Sequence, residues 1–127
     1  MHKKQLTEQE IRTRFITPAI KNAGWGAAQI REEYSITAGR IIARGGSCKR
    51  EKAKFADYVL FHKPHQPLAV IEAKDNNHAL GAGMQQALDY AQRLMVPFVF
   101  SSNGDGFVFH NRLEENDGKE VIAGPAS

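Results

Sequence analysis

The stretch that decides the fold covers residues 55–74 and reads FADYVLFHKPHQPLAVIEAK. Apolar runs occupy residues 55–61 and 68–74, and the segment between them is polar and contains two prolines. Apolar runs of this length, bounded by turn residues, predict two β-strands that pair antiparallel across a short loop.

Each of these strands carries an acidic residue near the end that lies away from the loop. Pairing apolar with apolar residues predicts the register Asp57–Glu72, Val59–Val70 and Phe61–Leu68. Two carboxylates directly opposite one another repel, which destabilises the pair unless a cation lies between them. Magnesium fits this position, because it prefers oxygen ligands and commonly binds one or two carboxylates together with waters and substrate phosphate.

Lys74 completes the candidate site, because it lies two residues after Glu72 and therefore on the same strand face. Its amine would polarise an attacking water and offset charge on a phosphate, while the metal would lower the pKa of that water. Asp57, Glu72 and Lys74 thus predict phosphodiester hydrolysis. The alternative is an ordinary solvated strand edge, since Glu-x-Lys occurs by chance in many proteins. Burying acids among apolar neighbours without a function is costly, which favours a site.

Helical periodicity predicts two helices. Residues 8–23 carry an apolar stripe, with Thr7 as N-cap and Glu10 at the capping-box position. Pro18 is expected to kink this helix or to split it. Residues 80–94 carry the second apolar stripe and predict the second helix.

The remaining strand signals lie at residues 29–36, which are ambiguous, and at 39–43, 96–100 and 107–110. Because a helix separates strands 68–74 and 96–100, a right-handed crossover is expected, which makes that pair parallel. The predicted fold class is therefore α/β, with a mixed central β-sheet flanked by helices.

Composition sets the outer limits of the prediction. A chain of 127 residues with 42% hydrophobic content suits one compact domain, assigned to residues 1–112, with a polar and loosely ordered tail at 113–127. The net charge of +3 permits a polyanionic partner without requiring one. No apolar run approaches the roughly 18 residues of a membrane span, and no secretory signal is recognised. The single cysteine, Cys48, suits a reducing compartment, so a cytoplasmic protein without a membrane partner is expected.

Basic, histidine and aromatic residues receive weaker assignments. A basic connector precedes the Asp57 strand and either contacts DNA phosphates or is simply solvated: Lys49, Arg50, Lys52 and Lys54. His62 and His65 lie far from Asp57 in the predicted register, and with one cysteine a zinc site is not expected. Four aromatic residues are predicted to belong to the core rather than to stack on bases: Trp25, Phe55, Phe98 and Phe107.

At the candidate site the sequence resembles the PD-(D/E)XK nuclease superfamily. Ala56-Asp57 stands where that pattern usually has Pro-Asp, and Glu72-Ala73-Lys74 matches (D/E)-x-K. Gln86 and Tyr90 match a Gln-x-x-x-Tyr motif of some branches, and their helix face is expected to point away from the apolar stripe. The resemblance implies a restriction endonuclease-like fold in which these two residues support the site or contact DNA. It also implies that Glu10 reaches the site, unless Glu10 only caps its helix.

More narrowly, residues 7–112 resemble the N-terminal endonuclease domain of the restriction (motor) subunit of type I restriction-modification enzymes. The resembling segments are Thr7-Glu8-Gln9-Glu10-Ile11-Arg12, Pro18-Ala19-Ile20, Gly24-Trp25, Ala56-Asp57-Tyr58-Val59-Leu60, Val70-Ile71-Glu72-Ala73-Lys74, Gln86-Ala87-Leu88-Asp89-Tyr90-Ala91 and Pro97-Phe98-Val99-Phe100-Ser101-Ser102-Asn103-Gly104. The resemblance implies that Asp57 and Glu72 hold Mg²⁺ and that Lys74 is the catalytic lysine of an endodeoxyribonuclease.

The resemblance also implies partners. Such a domain would cut double-stranded DNA without reading sequence itself, within a complex that contains methylation and specificity subunits. The family's subunit carries an ATP-driven translocase, but this chain has no Gly-x-x-x-x-Gly-Lys-Ser/Thr phosphate loop, so ATP is expected only in a motor domain absent from it. Two alternatives stay open: a non-catalytic DNA-binding or docking module on a degenerate nuclease fold, and a free-standing resolvase-like nuclease.

Overall fold

The structure is a computed structural model that describes residues 2–36, 42–44, 47–49, 53–117 and 121–123. Its strands are β1 (Ile30–Ile36), β2 (Ile42–Arg44), β3 (Ser47–Lys49), β4 (Lys54–Lys63), β5 (Gln66–Ala73), β6 (Phe98–Ser102), β7 (Phe107–Asn111) and β8 (Val121–Ala123). Six of them form one sheet in the order β1-β4-β5-β6-β7-β8, and β2 pairs with β3 separately. Every pair in the large sheet is antiparallel except β5–β6. The mixed sheet and its parallel pair are confirmed.

The first helix contains three consecutive segments: α1 (Glu8–Ile11), a π-helical segment (Arg12–Ile16) and α2 (Thr17–Asn22). The capping box is confirmed, since Glu10 N donates to Thr7 Oγ1 at 3.1 Å and Thr7 N donates to Glu10 Oε1 at 3.0 Å. The predicted disturbance at Pro18 takes the form of the π-helical segment. Proline has no N–H to donate and its ring crowds the carbonyl four residues earlier, and the wider turn accommodates both effects.

The β4–β5 hairpin has the predicted register near the candidate site. Val59 pairs with Val70 as predicted, and the pairing continues to Tyr58–Ile71, one step before the two acids. The prediction that Phe61 pairs with Leu68 is wrong, because the register shifts after Leu60 and Phe61 pairs with Pro67. The strands also run further towards the turn than predicted, so that β4 ends at Lys63 and β5 begins at Gln66.

Helix α3 covers Met84–Leu94, four residues shorter at its start than predicted. The preceding residues form turns because Ser101 Oγ binds them, accepting from Gly83 N at 3.0 Å and donating to the Leu80 carbonyl at 2.9 Å. Residues 29–36, whose strand signal was ambiguous in the sequence, contain strand β1. Of the predicted strand at residues 39–43, only its last two residues are described, and they begin β2.

The expected loose tail contributes to the sheet. Residues Arg112–Asp117 form 3₁₀ turns interrupted at Glu114, which has a non-helical backbone. Strand β8 pairs antiparallel with β7 through Phe107–Ala123, Val108–Ile122 and Phe109–Val121. This pairing satisfies backbone groups that β7 would otherwise expose at the edge of the sheet, and the boundary at residue 112 stays a prediction. Nothing in the polar composition of the tail signals such an edge strand.

Two apolar clusters lie on opposite faces of the sheet. The α3 core consists of Ile36, Ala56, Val59, Phe61, Val70, Met84, Ala87, Tyr90, Ala91, Val96, Val99 and Val108. The first-helix core consists of Leu6, Ile11, Ile16, Ala19, Ile20, Tyr58, Leu60, Ala69, Ile71, Ala73 and Phe107, with Trp25 and Phe98 packed against it. The prediction that Phe55 belongs to the core is wrong, because its side chain is 51% exposed. No helix among the described residues is long and apolar enough to cross a membrane.

Candidate active site

Two hydrogen bonds, one in each direction between β4 and β5, hold the Asp57 and Glu72 carboxylates in place and form a reciprocal pair. The Asp57 amide donates to Glu72 Oε2 at 2.7 Å, and the Ala73 amide donates to Asp57 Oδ2 at 2.7 Å. Each carboxylate thus accepts from the backbone of the opposite strand, just beyond the last Cα pair of β4 and β5. Glu72 is 3% exposed and the Asp57 side chain 15%. The backbone amides therefore hold the two acids beside each other at the end of the hairpin.

Burial disfavours ionisation of both acids, and at Glu72 repulsion from Asp57 adds to the effect. Burial, followed by the charge of Asp57, raises the pKa of Glu72 from its ordinary 4.5 to about 8. Burial also raises the pKa of Asp57, although the Ala73 amide and the Arg12 charge act in the opposite direction. A buried pair of this kind is stabilised by any cation that restores the charge balance.

Lys74 follows β5 directly, and its amide donates to the Ser102 carbonyl at 2.9 Å, which extends the contact with β6. Its positive charge lowers the pKa of Asp57 and of Glu72, so the ammonium acts on both carboxyls. Within the described residues its amine has no hydrogen bond or ion pair. The three residues predicted from the sequence are therefore brought to one place, with the lysine available to a ligand.

Glu8, and not Glu10, is the first-helix acid that interacts electrostatically with Asp57 and Lys74. Burial, then the charge of Asp57, raises the pKa of Glu8, while Lys74 lowers it. Of the two alternatives for Glu10, the structure shows the helix cap, since its carboxylate binds the Thr7 amide and lies 3.8 Å from Arg14. Both acids belong to the first helical turn, so the motif alone could not separate them.

Arg12 was missed by the sequence analysis. Its side chain is 3% exposed, and its guanidinium donates to Glu32 Oε1 at 2.9 Å, to Glu33 Oε1 and to the Asp57 carbonyl at 3.3 Å. The same group lies 3.8 Å from Asp57 Oδ1 and 5.1 Å from the centre of the Tyr58 ring. An arginine directly after Ile11 on the apolar side of a helix was the available signal, since a buried arginine requires partners.

Gln86 and Tyr90 lie together on α3, where Gln86 Nε2 donates to Tyr90 Oη at 2.6 Å. The prediction that this face points away from the apolar stripe is wrong for Tyr90, which is 4% exposed and belongs to the α3 core. Burial is the main cause that raises the pKa of Tyr90, and the charges of Glu72 and Asp57 add to it. Tyr90 therefore lies within electrostatic range of the acids.

The basic connector is only partly described. Lys54 Nζ lies 3.9 Å from Asp89 Oδ2 on α3, so its charge is partly balanced within the domain. Lys52, which was expected to contact DNA, lies outside the described residues.

The donor set at Asp57 and Glu72 suits a hard divalent cation. The reciprocal bonds leave Asp57 Oδ1 and Glu72 Oε1 without a hydrogen bond in the described part of the chain. Among the same residues no group of three or more His, Cys, Asp or Glu side chains is placed to hold a metal. A two-carboxylate site completed by water and substrate oxygens is what magnesium commonly uses, so the residues fit that ion.

Comparison with known proteins identifies the family. A model of the type I restriction enzyme R protein N terminus matches residues 7–124. The chain belongs to this family. The chain is 54% identical, over 107 residues, to the type I restriction enzyme EcoAI endonuclease subunit of Escherichia coli. That match covers 84% of the chain and 13% of the relative.

A solved structure gives the same result for the fold. The chain superposes with a TM-score of 0.76 on a fragment described as an HsdR subunit of a type I restriction enzyme from Vibrio vulnificus YJ016, at 35% identity. The alignment covers 94% of this chain and 24% of that one. The fold is therefore the mixed α/β fold of the R subunit N terminus, and the chain spans only a small part of the length of these relatives.

Proposed function

We propose that this domain is the magnesium-dependent endonuclease of a type I restriction enzyme R subunit, hydrolysing DNA phosphodiester bonds without reading sequence itself. The observation that carries the proposal is the hydrogen-bonded Asp57–Glu72 pair next to Lys74, whose amine has no hydrogen bond or ion pair in the part of the chain that the structure describes. The family membership supports it, because the Escherichia coli relative is named an endonuclease subunit. In a larger assembly, double-stranded DNA, methylation and specificity subunits and an ATP-driven translocase are the proposed partners.

Each residue has a distinct proposed role. Asp57 Oδ1 and Glu72 Oε1 would hold Mg²⁺, which supplies Lewis-acid activation of water and stabilises the leaving oxygen when bound. The Lys74 ammonium would orient the attacking water and offset negative charge on the phosphate. Tyr90, held by Gln86, would keep water away from the inner side of Glu72 and so maintain its burial.

Magnesium binding provides the direct test. Calorimetric titration of the whole chain is expected to show binding that is lost in Glu72→Gln and Asp57→Asn. The matched control is Glu114→Gln, which removes an exposed carboxylate without a hydrogen bond to the site residues. Unaltered magnesium binding in both site variants would refute the metal assignment. A degenerate docking module on the same fold predicts no carboxylate-dependent binding in the first place.

Cleavage provides the second test. Nicking of supercoiled DNA, measured in the full R subunit with its partner subunits, is expected to disappear in Lys74→Ala while magnesium binding and the unfolding midpoint persist. Cleavage at the parental rate would refute the role of Lys74. A preference of the isolated chain for branched over linear DNA would instead favour the resolvase-like alternative.

A further inference from the structure

The inward–outward alternation of side chains changes phase at Asp57. In an ideal strand alternate residues share a face, so Ala56, Tyr58 and Leu60 should lie on one side of β4. Tyr58 and Leu60 do pack in the first-helix core, but Ala56 packs in the α3 core together with Val59. The side of the sheet to which even-numbered residues of β4 point therefore changes at Asp57, the candidate metal ligand.

Strand β1 changes phase at the position directly opposite. Ile30 packs against the first-helix core, whereas Tyr34 and Ile36 pack on the α3 core. The pairing of β1 with β4 runs through Glu32–Tyr58 and resumes at Tyr34–Ala56, leaving out Glu33 and Asp57. Glu33 has φ +50°, a left-handed conformation that a non-glycine residue adopts only at an energetic cost.

One side chain connects the two break points. The Arg12 guanidinium binds the Glu33 carboxylate and the Asp57 carbonyl, with Glu32 as a third partner. A buried guanidinium without partners would be strongly unfavourable, so its hydrogen bonds must persist for Arg12 to remain inside. These bonds are made while Glu33 has its left-handed backbone and while the Asp57 carbonyl is turned towards the first helix.

We propose that Arg12 is a positioning residue that maintains the phase break and so aims the Asp57 carboxylate at Glu72. Without it, Glu33 would relax to an extended backbone and Asp57 would pair with β1 as in a regular strand. The Asp57 side chain would then leave the Ala73 amide. The inference deepens the proposed function, because it concerns the residue taken there as a metal ligand.

Amide hydrogen exchange tests the proposal in metal-free protein. The Asp57 and Ala73 amides report the reciprocal bonds directly, and the amides of Val70 and Val99, in strands paired on both sides, report global unfolding. We expect Arg12→Lys and Glu33→Gln each to reduce protection at Asp57 and Ala73 about tenfold, the effect of losing one charge-assisted hydrogen bond. Protection at Val70 and Val99 should change much less.

The matched control is Arg14→Lys, an exposed arginine of the same helix whose carboxylate contact is Glu10 at 3.8 Å. It should alter none of the four amides. Glu33→Gln matters because it keeps the shape of the side chain, so the test survives if Arg12→Lys fails to fold. Unchanged protection at Asp57 and Ala73, or an equal fall at all four amides, would overturn the proposal.

Magnesium titration of the same variants separates this inference from the proposed function. If the parent binds Mg²⁺, Arg12→Lys is expected to weaken that binding about tenfold, since one ligand is misdirected. Parental affinity in Arg12→Lys would overturn the positioning role and leave the proposed function standing. If the parent binds no Mg²⁺, the proposed function fails, and the exchange measurements still decide whether Arg12 positions Asp57.

Discussion

Replacing Glu72 with glutamine is expected to stabilise the metal-free domain, although it removes a proposed metal ligand. In the folded chain the pKa of Glu72 is about 8, against an ordinary value of 4.5. The unfolded chain therefore releases this proton at lower pH than the folded chain does. Ionisation of Glu72 is penalised only in the folded state. The contribution of the protonated Glu72 to the free energy of unfolding is therefore fully present below pH 4.5 and is lost as the pH rises towards 8.

The size of the effect follows from that difference in pKa. Each pKa unit corresponds to about 1.4 kcal/mol, so the full penalty above pH 8 is roughly 5 kcal/mol and the penalty at neutral pH is about 3 kcal/mol. Glutamine stays neutral, nearly matches glutamate in volume and still offers an oxygen to the Asp57 amide. We expect Glu72→Gln to raise the free energy of unfolding by about 1–3 kcal/mol at neutral pH, after allowance for imperfect packing of the amide.

Urea unfolding with a chelator, followed by circular dichroism at several pH values from about 5 to about 8, measures this quantity. The gain should grow with pH and be small near pH 5, where Glu72 is protonated in the folded chain. Glu114→Gln is the control, since that acid is exposed and its substitution should give no such trend. A stability difference that does not depend on pH, or a loss at neutral pH, would refute the reasoning about Glu72.

Two glycine substitutions test the packing around the site. In Gly83→Ala the new Cβ would lie 3.1 Å from Ser101 Oγ and 3.2 Å from the Glu72 Cβ, so we expect a loss of about 1–2 kcal/mol in urea unfolding and weaker magnesium binding. An unchanged unfolding midpoint would show that Ser101 and Glu72 shift freely. In Gly104→Ala the φ of +93° strains the backbone and the Cβ would lie 2.9 Å from Ile11 Cγ2. A loss of about 2–4 kcal/mol is expected there, and a midpoint within error of the parent would contradict it.

Local sequence patterns predicted the site acids because their register depends on neighbouring apolar pairs. Matching Val59 with Val70 aligned the strands correctly up to the acids, and each of the two carboxylates accepts a hydrogen bond from a backbone amide of the opposite strand. The same reasoning failed towards the turn, where the register shifts after Leu60. A one-residue irregularity leaves no mark in the pattern, since apolar residues still face apolar residues on either side of it.

Arg12 and Glu33 show what the sequence could not reveal. A left-handed φ at a glutamate has no compositional signal, unlike one at glycine or asparagine. Phe55 was assigned to the core because it lies in an apolar run, yet the alternation of faces along β4 changes at Asp57, two residues later. Because Ala56 points towards α3, Phe55 points to the opposite side, where the described residues leave half of it exposed. The first-helix acid was predicted at Glu10, two residues after Glu8, for a related reason. Two acids in one helical turn differ only in which of them faces the sheet, and the motif does not show this.

The π-helical segment has a consequence for insertions and deletions. The Thr17 amide binds the Arg12 carbonyl five residues earlier, so this turn contains one residue more than an α-helical turn would. Deleting any residue between Arg12 and Pro18 would restore α-helical spacing and bring the proline ring against the carbonyl of the preceding turn. Adding a residue would rotate Arg12 away from β1 and β4 by roughly the 100° that separates successive helical residues. The number of residues between Arg12 and Pro18 is therefore constrained. We expect insertions and deletions among relatives to fall in loops outside this segment.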